Sequence, residues 1–578
     1  MENGQEGGEY MPRTVGIGHQ DFEKIRIKNT FYIDKTGFIK EWWEAEDDVT
    51  LITRPRRFGK TLNMSMLEKF FSVKYGKRQE LFEGLSIWED KKYQSLQGTF
   101  PVINLSFANV KEKDYQGTRQ SINQILEDLY NKNIFLIEGN LLTDNEKAYF
   151  QSVNGGMKEI TAVWAIHKMS DFLSRYYEKK VIILLDEYDT PMQEAYVNGY
   201  WQELVGFIRS LFNSTFKDNP YLERAIMTGI TRISKESIFS DLNNLEVVTT
   251  TSDKYADVFG FTEAEVFASL EEFGLLDKAQ EVKLWYDGFT FGSQTDIYNP
   301  WSIINYLNKR KAGLYWANTS SNRLIGKLLR EGNREIKQAF ERLLAGEHLI
   351  TPIEEQIVYD QLDTNEWAIW SLLLASGYLK VVSYEKYEEI ENDFQEVNYE
   401  LDLTNHEVRR MFGRMIKGWF AKNRADYNDF IKALLINDVK AMNVYMNRVS
   451  MEMFSYFDTG KKASQTEPER FYHGFVLGLM VELTDRYIIT SNRESGFGRY
   501  DVMLEPRGKE EDAIIVEFKV QDQEEEKELC DTVKAALEQI SQREYEVYLT
   551  TKGISSDRIR KYGFAFCGKE VLIGSNQK

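Results

Sequence analysis

Cysteine and proline are scarce in this 578-residue chain, which has 2 cysteines and 9 prolines. The two cysteines, Cys530 and Cys567, exclude a disulfide framework and any zinc module built on four thiolates. So few thiols fit a reducing compartment, and we expect the protein to be cytoplasmic. The 5 histidines lie far apart and form no H-x3-H or HExxH pair, which argues against zinc chemistry.

Long apolar runs and an excess of basic residues are also missing. Runs such as Val181–Leu185 are too short to cross a bilayer, and the polar segment Met1–Tyr10 lacks the apolar core of a signal peptide, so we expect no membrane association. The 72 lysines and arginines against 91 acidic residues give a net charge of −19. This balance excludes a surface that coats nucleic acid over its whole extent, but it leaves room for a local basic groove.

Strand-like apolar runs alternate with helical periodicity through the first half of the chain, which predicts an α/β domain. The buried strands predicted there are Val49–Thr53, Val102–Leu105, Val181–Leu185 and Ala225–Thr228. Helices dominate from Trp301 to about Gly346, and a helix–hairpin–helix order from Glu366 to about Phe420 is typical of a winged-helix-like module.

The polar stretch Gly460–Glu467 is the best linker candidate, and a compact α/β unit follows it. We therefore predict three domains: residues 1–300, a helical and winged-helix-like region at 301–464, and residues 465–578.

The segment Arg54–Thr61, with the sequence R-P-R-R-F-G-K-T, lies between a predicted strand and a predicted helix, where a phosphate-binding loop belongs. Backbone N–H groups at a helix start can bind the β- and γ-phosphates of a nucleotide. Lys60 would neutralise phosphate charge and the Thr61 hydroxyl would ligate Mg²⁺. The usual first glycine is Arg54 here, so an ordinary basic loop is the alternative. The residues predicted to bind nucleotide in this loop are Arg57, Phe58, Gly59, Lys60 and Thr61.

Support for the nucleotide site comes from Val181–Glu187, an apolar run that ends in two acidic residues. The carboxyl end of a buried parallel strand would bring Asp186 to Mg²⁺ and Glu187 to the attacking water. Farther along, Thr228 and Arg232 follow another predicted strand and would lie beside the γ-phosphate, although a strand that ends in Thr-Gly is otherwise only a turn.

Several strings together resemble the bacterial AAA-ATPase-like family over most of residues 15–300. They are Y-I-D-K-T at 32–36, R-P-R-R-F-G-K-T at 54–61, L-L-D-E-Y-D-T-P at 184–191, T-G-I-T-R-I-S-K-E-S-I-F-S at 228–240 and W-Y-D-G-F at 285–289. The resemblance implies an ATP-binding P-loop core of the AAA or STAND type, in which Arg54 is the family's own variant. It does not establish rapid hydrolysis. AAA-like cores often use an arginine of a neighbouring subunit, so a homo-oligomer is compatible with the resemblance.

A second constellation lies near the C-terminus. Asp501 belongs to a predicted strand, Tyr500–Leu504. The next strand contains Glu517 and Lys519 on one face, with Val516 and Phe518 on the other. If the two strands pair, Asp501 lies beside Glu517. Two carboxylates and a lysine suit a Mg²⁺ or Mn²⁺ site that polarises a phosphate and activates water. The alternative is a half-exposed strand that contains a salt bridge.

An amphipathic helix follows these strands, and the combination resembles the PD-(D/E)XK nuclease superfamily over roughly residues 465–575. Asp501, Glu517 and Lys519 match the core motif of that superfamily. The resemblance implies a restriction-endonuclease-like α/β domain, in which Gln539 is an additional catalytic residue. Further candidates are Glu494 as an auxiliary acid and Glu469 and His473 on the preceding helix.

Two constellations in one chain favour an ATP-binding, ATP-regulated and metal-dependent nuclease, with DNA a better substrate than RNA and defence against foreign DNA a compatible role. The acidic run Asp522–Glu528 directly after Lys519 argues against tight DNA binding. The alternative is therefore a nucleotide-dependent switch whose C-terminal domain binds nucleic acid or a partner without cleaving it. A translocase is less attractive because no second motor core and no helicase motif set are present.

Overall fold

A computed structural model describes residues 13–576 of the chain, apart from short segments. The segments outside the described residues are 233–237, 240–241, 318–324, 327, 330–333, 355–365, 386–396, 420–423, 455–475, 477–479, 481–482, 484–485, 492–493, 496–497, 500, 509–510, 523–525, 543–544 and 568–569. The chain divides into two compact units, Met1–Met411 and Phe412–Lys578.

A five-stranded parallel sheet forms the centre of the first unit, with strand order β2-β3-β4-β1-β5. Its strands are β1 (Val49–Thr53), β2 (Val102–Ser106), β3 (Val181–Asp186), β4 (Leu222–Gly229) and β5 (Leu245–Val248). Every residue of β1 and β3 is buried, as expected for strands covered on both faces. Since β4 lies between β1 and β3, the phosphate loop after β1 and the acidic residues after β3 flank the carboxyl end of β4.

Helices surround this sheet and continue through the remainder of the first unit, and the last of them extends past Met411 into the second unit. They are α1 (Phe22–Ile27), α2 (Gly37–Ala45), α3 (Lys60–Phe71), α4 (Lys91–Leu96), α5 (Tyr115–Lys132), α6 (Phe135–Glu138), α7 (Asp144–Ser152), α8 (Glu159–Tyr177), α9 (Thr190–Asn198), α10 (Trp201–Phe216), α11 (Glu263–Glu272), α12 (Ala279–Tyr286), α13 (Pro300–Lys309), α14 (Arg334–Ala345), α15 (Glu366–Ala375) and α16 (His406–Trp419). In α10 the apolar stripe of Leu204, Phe207, Ile208 and Leu211 is buried, which is the helical spacing expected for a sheet-covering helix.

Two small antiparallel sheets complete the first unit. One has the order β6-β8-β7, with β6 (Phe261–Thr262), β7 (Phe289–Phe291) and β8 (Gln294–Tyr298). The other has the order β10-β11-β9, with β9 (Leu349–Pro352), β10 (Leu379–Tyr384) and β11 (Asn398–Leu403). The helix α15 comes directly before β10 and β11, and α16 follows them, which is the predicted order of elements; a winged-helix-like module here stays a prediction.

The second unit contains a mixed five-stranded sheet with the order β12-β15-β16-β17-β18, in which only β16 and β17 are parallel. Its strands are β12 (Tyr487–Ser491), β15 (Val502–Pro506), β16 (Ala513–Val520), β17 (Ile559–Cys567) and β18 (Glu570–Ser575), and a separate short hairpin consists of β13 (Glu494–Ser495) and β14 (Gly498–Arg499). Its helices are α17 (Arg424–Leu435), α18 (Val439–Phe454), α19 (Leu529–Gln542) and α20 (Glu546–Thr551).

Two hydrophobic clusters lie on opposite faces of this sheet. Side chains of α17 and α18, such as Phe430 and Met446, share one cluster with Val516 and Phe518 of β16. Ile515 of the same strand shares the other cluster with Ile540 of α19. The alternation predicted for β16 is therefore present, and its odd-numbered residues face α19.

The predicted α/β fold class is confirmed: a parallel sheet in the N-terminal part is joined in sequence to a C-terminal mixed sheet. The helices α17 and α18, which the predicted boundary at 464/465 places in the middle region, pack with the C-terminal sheet. The predicted linker Gly460–Glu467 lies outside the described residues. Within the described part of the chain, no helix combines the length and the apolar character needed to cross a membrane.

Candidate nucleotide and metal sites

The phosphate loop lies where the sequence predicted it, between β1 and α3. Gly59 is the N-cap of α3 and has a φ of +83°, a left-handed conformation that glycine adopts without strain. The Lys60 ammonium is 3% exposed and donates hydrogen bonds to the carbonyl oxygens of Arg54 at 3.0 Å and Pro55 at 3.1 Å. It also lies 3.4 Å from a carboxylate oxygen of Glu187. The loop thus holds a buried cation at the start of a helix, where anions bind.

Arg54 replaces the usual first glycine and is fully buried. Its guanidinium donates to the carbonyl oxygens of Thr53 at 2.9 Å and Thr249 at 2.6 Å, with longer bonds to those of Lys254 and Tyr255. Its central carbon also lies 4.6 Å from the centre of the Phe291 ring. Burial lowers the pKa of Arg54 to about 9, so the side chain stays charged at neutral pH. Arg54 therefore ties the loop to the chain that follows β5.

Asp186 lies at the carboxyl end of β3 and is 3% exposed. Its two carboxylate oxygens accept hydrogen bonds from the hydroxyls of Thr61 at 2.7 Å and Thr228. Burial raises the pKa of Asp186, the nearby charge of Glu187 adds to the increase, and the two hydroxyl bonds oppose it. The structure thus brings together three residues that the sequence predicted separately, and a carboxylate beside a hydroxyl is a donor set that suits Mg²⁺.

Asp189 fixes the turn after β4 and was missed by the sequence analysis. It is fully buried, and its Oδ2 accepts hydrogen bonds from the backbone N–H groups of Ile230 and Thr231 and from the Thr231 hydroxyl. The sequence signal for Asp189 was a third acidic residue, two positions after Glu187, in the string L-L-D-E-Y-D-T-P that resembles the family motif. Burial raises the pKa of Asp189, and the charge of Glu187 adds to that increase.

The predicted position of Arg232 beside a terminal phosphate remains a prediction. The structure places Arg232 at a small cavity next to the end of β1 and the residues that follow β5. The other lining residues include Thr53, Thr249, Thr250, Thr251, Glu354 and Ser371.

Aromatic side chains hold the phosphate loop from outside the parallel sheet. The Phe58 ring centre lies 4.7 Å from that of Phe289, which belongs to the W-Y-D-G-F string. Gly377 has a φ of +83°, and a Cβ built there would lie 2.8 Å from the Pro55 ring, so only glycine fits. The Trp316 indole N–H donates to the Arg56 carbonyl oxygen at 3.0 Å. These contacts assign the W-Y-D-G-F string a structural role beside the loop.

Glu407 holds the segment that contains Trp316. This carboxylate is 1% exposed and accepts hydrogen bonds from the Ser302 hydroxyl at 2.7 Å and the Ala317 N–H at 3.2 Å. Burial raises the pKa of Glu407 to about 7, although the hydrogen bonds to Ser302 and to the backbone oppose that shift. A buried acid within a helix start gave no sequence signal, because acidic residues are common in first turns.

We expect the free energy of unfolding to fall as the pH rises from about 4.5 to about 7, in part because of Glu407. Its pKa is raised in the folded chain, so between about pH 4.5 and 7 the folded state binds a proton that the unfolded state has released. The contribution is at most ~3 kcal/mol. Urea-unfolding midpoints of the wild type at pH 5.5 and 8.0 should differ more than those of Glu407→Gln. Asp287, whose pKa burial raises to about 7, should leave a residual slope. An equal pH dependence in Glu407→Gln would contradict this expectation.

The C-terminal constellation assembles on the face of the second sheet that α19 covers. Val502 pairs with Val516 in the antiparallel register of β15 and β16, so Asp501 follows opposite Glu517. An Asp501 carboxylate oxygen accepts a hydrogen bond from the Phe518 N–H at 2.8 Å. Glu517 is 3% exposed, whereas Lys519, two residues along the same face, is half-buried. Two carboxylates from neighbouring strands and one lysine therefore share one face.

Gln539 joins this group from α19, because its side-chain amide donates a hydrogen bond to Glu517 Oε1. Glu494 lies on β13, and its backbone pairs with that of Arg499. Glu469 and His473 lie outside the described residues, so their predicted roles stay predictions. The donor set fits a hard divalent cation, since both carboxylates supply oxygen ligands and no thiolate or imidazole belongs to the described group.

Five basic side chains that the structure describes near this sheet are paired with acids. Arg558 and Arg560 both contact Asp512, the latter at 2.6 Å. The other pairs are Lys534 with Asp531, Lys552 with Glu505, and Lys561 with Glu546. Such pairs reduce the positive potential available to a phosphate backbone.

Comparison with known proteins supports both halves of this description. Residues 16–239 match a family model described as Predicted AAA-ATPase, and residues 467–576 match a model of the PD-(D/E)XK nuclease superfamily. A protein of Azotobacter chroococcum mcd 1, described as the uncharacterized protein in the vnfD 5' region, is 27% identical over 375 residues, which are 64% of this chain and 64% of that protein. The resemblance predicted from the sequence motifs is therefore confirmed.

Proposed function

We propose that this protein is an ATP-binding, metal-dependent nuclease that hydrolyses phosphodiester bonds, preferably in DNA, with ATP regulating the cleavage. The two family matches support a nucleotide-dependent nuclease in general and fit the use of ATP and a divalent metal. The observation that carries the proposal further is the register that sets Asp501 opposite Glu517, with Lys519 on the same face and Gln539 above it. A cytoplasmic location and defence against foreign DNA belong to the same proposal.

The residues of the second unit would have different roles in phosphodiester hydrolysis. Asp501 and Glu517 would hold Mg²⁺ or Mn²⁺, which supplies Lewis-acid polarisation of the scissile phosphate and a more acidic bound water. Lys519 would orient the attacking water or neutralise charge that develops on the phosphate. Gln539 would hold the Glu517 carboxylate in place, since its amide N–H donates a hydrogen bond to Glu517 Oε1.

In the first unit, Lys60 and the amides of residues 57–61 would bind the β- and γ-phosphates, and Thr61 with Asp186 would hold Mg²⁺. Glu187 would orient the water for hydrolysis, and Thr228 positions Asp186 through its hydroxyl. The phosphate loop is bound through Gly377 and Trp316 to segments outside the parallel sheet, so a change in the loop has a physical route to the remainder of the first unit.

A metal-dependent cleavage assay with mixed DNA and RNA substrates tests the proposal. We expect the full chain to cleave DNA with Mg²⁺ or Mn²⁺ and to be inactive with EDTA. Lys60→Ala should remove the effect of ATP on the rate, whereas Asp501→Ala should remove cleavage with or without ATP. Wild-type protein that cleaves neither polymer under any of these conditions would refute the nuclease proposal.

The ion pairs of the basic side chains favour a second candidate, a nucleotide-dependent switch whose second unit binds nucleic acid or a partner without cleavage. The same two variants separate the candidates once a cellular phenotype is measured. For the switch, Lys60→Ala abolishes function and Asp501→Ala leaves it intact. For the nuclease, Asp501→Ala abolishes it.

A further inference from the structure

The cations of the phosphate loop differ in what holds them. Arg54 and Lys60 are buried and bonded to backbone carbonyls, and the Arg56 guanidinium lies 3.4 Å from the Gln193 side-chain oxygen. Arg57 is exposed, and among the described residues its guanidinium contacts no carboxylate or carbonyl. It rests instead on Trp301, with its central carbon 4.2 Å from the ring centre. Arg57 is thus the loop cation that is held by an aromatic face alone.

The backbone around Arg57 is fixed, although its side chain is not bonded to an anion. Arg57 has a φ of +66°, in the left-handed region. Its side chain therefore projects from the loop in a different direction than it would from a right-handed backbone conformation. The preceding carbonyl, that of Arg56, accepts hydrogen bonds from Asn299 at 3.4 Å and from Trp316. Asn299 is the N-cap of α13 and Trp301 belongs to its first turn. The helix start therefore clamps the loop peptide and also offers the ring on which Arg57 rests.

The charge of Arg57 interacts with that of Glu187, the residue proposed to orient the attacking water. Partial burial and the neighbouring charge of Arg56 lower the pKa of Arg57, and the charge of Glu187 opposes this shift. Arg57 is therefore within electrostatic range of the residue proposed to orient the attacking water. A guanidinium binds phosphate through two parallel hydrogen bonds, an interaction stronger than a half-exposed contact with an indole ring.

We propose that Arg57 distinguishes ATP from ADP: its guanidinium leaves Trp301 when ATP binds and pairs with the γ-phosphate. Trp301 is then the resting site of Arg57 in the nucleotide-free protein, and it competes with ATP for the same side chain. This inference rests on the proposed ATP binding. It adds the residue that recognises the terminal phosphate and the residue that opposes this recognition.

A double-mutant cycle in the full chain tests the inference, with Mg²⁺–ATP and Mg²⁺–ADP affinities measured by calorimetry. Arg57→Ala should weaken ATP binding at least about tenfold and ADP binding less than about threefold. Trp301→Leu should tighten ATP binding about two- to fivefold, since the competing ring is gone. In the Arg57→Ala background Trp301→Leu should have no effect. Trp301→Phe, which keeps a ring with a weaker face, should give an intermediate affinity if the leucine variant does not fold.

Controls separate the possible failures. Arg56→Ala, a matched loss of a neighbouring arginine, should leave the ratio of ATP to ADP affinity unchanged. Equal loss of ATP and ADP affinity in Arg57→Ala, or a Trp301→Leu effect that persists without Arg57, would overturn the inference while the proposed function stands. Wild-type protein that binds neither nucleotide would overturn both.

Discussion

Replacing Glu517 with glutamine is expected to reduce metal-dependent cleavage by ~10²–10³-fold, the loss typical of removing one group that stabilises charge in the transition state. Glu517 is 3% exposed and accepts a hydrogen bond from Gln539, which a glutamine oxygen at position 517 can also accept. The fold should therefore survive. Because a charged carboxylate is costly to bury, Glu517→Gln should also unfold at an equal or higher temperature than the wild type without metal.

Cleavage rates and melting temperatures with and without Mn²⁺ check this prediction. The wild type should gain thermal stability from Mn²⁺, and Glu517→Gln should gain less. Glu538→Gln is the matched control, because Glu538 is an exposed acid on α19 next to Gln539. It should cleave at the wild-type rate. A Glu517→Gln protein that is folded and retains more than about a tenth of the wild-type rate would contradict the assignment of Glu517 as a metal ligand.

Replacing Arg54 with glycine is expected to destabilise the first unit by ~2–5 kcal/mol, although it restores the common phosphate-loop pattern. The guanidinium is fully buried and bonded to carbonyl oxygens that include those of Thr53 and Thr249. Without it those carbonyls lose their partner, and a cavity opens beside Phe291. Urea-unfolding midpoints measured without nucleotide provide the test.

Arg57→Gly is the matched control for this prediction. It removes an arginine from the same loop, but from an exposed position whose φ of +66° glycine adopts more readily. We expect its unfolding midpoint to change by less than the equivalent of ~1 kcal/mol. If the unfolding midpoint of Arg54→Gly equals that of Arg57→Gly, Arg54 does not anchor the loop, and its buried contacts do not stabilise the fold.

Local sequence patterns predicted some features of the two candidate sites directly. The bounds of β1 agree with the predicted strand at both ends, and β3 extends the predicted one by a single residue, Asp186. The opposition of Asp501 and Glu517 also followed from strand alternation and a short turn. These features depend on neighbours within fewer than about twenty residues, a range in which a periodic pattern can be recognised directly.

Other features depended on contacts that no local period contains. Arg54 was interpreted as a variant of a glycine, but its function in the fold comes from carbonyls about 200 residues later in the chain. Trp316 bonds the phosphate loop from 260 residues away, and Glu407 holds the segment that contains Trp316; neither residue belongs to a motif. Near the C-terminal sheet, Arg558 and Arg560 both pair with Asp512, a contact that no sequence motif announces.

The amino-acid sequence by itself determined four of the five strands of the parallel sheet, the loop and the acidic residues at the strand ends, because alternation and helical spacing fix which side chains share a face. Only the tertiary structure decided which charges are satisfied. Hydrogen bonds and ion pairs join residues through packing, and packing brings together side chains whose separation along the chain contains no information about their contact.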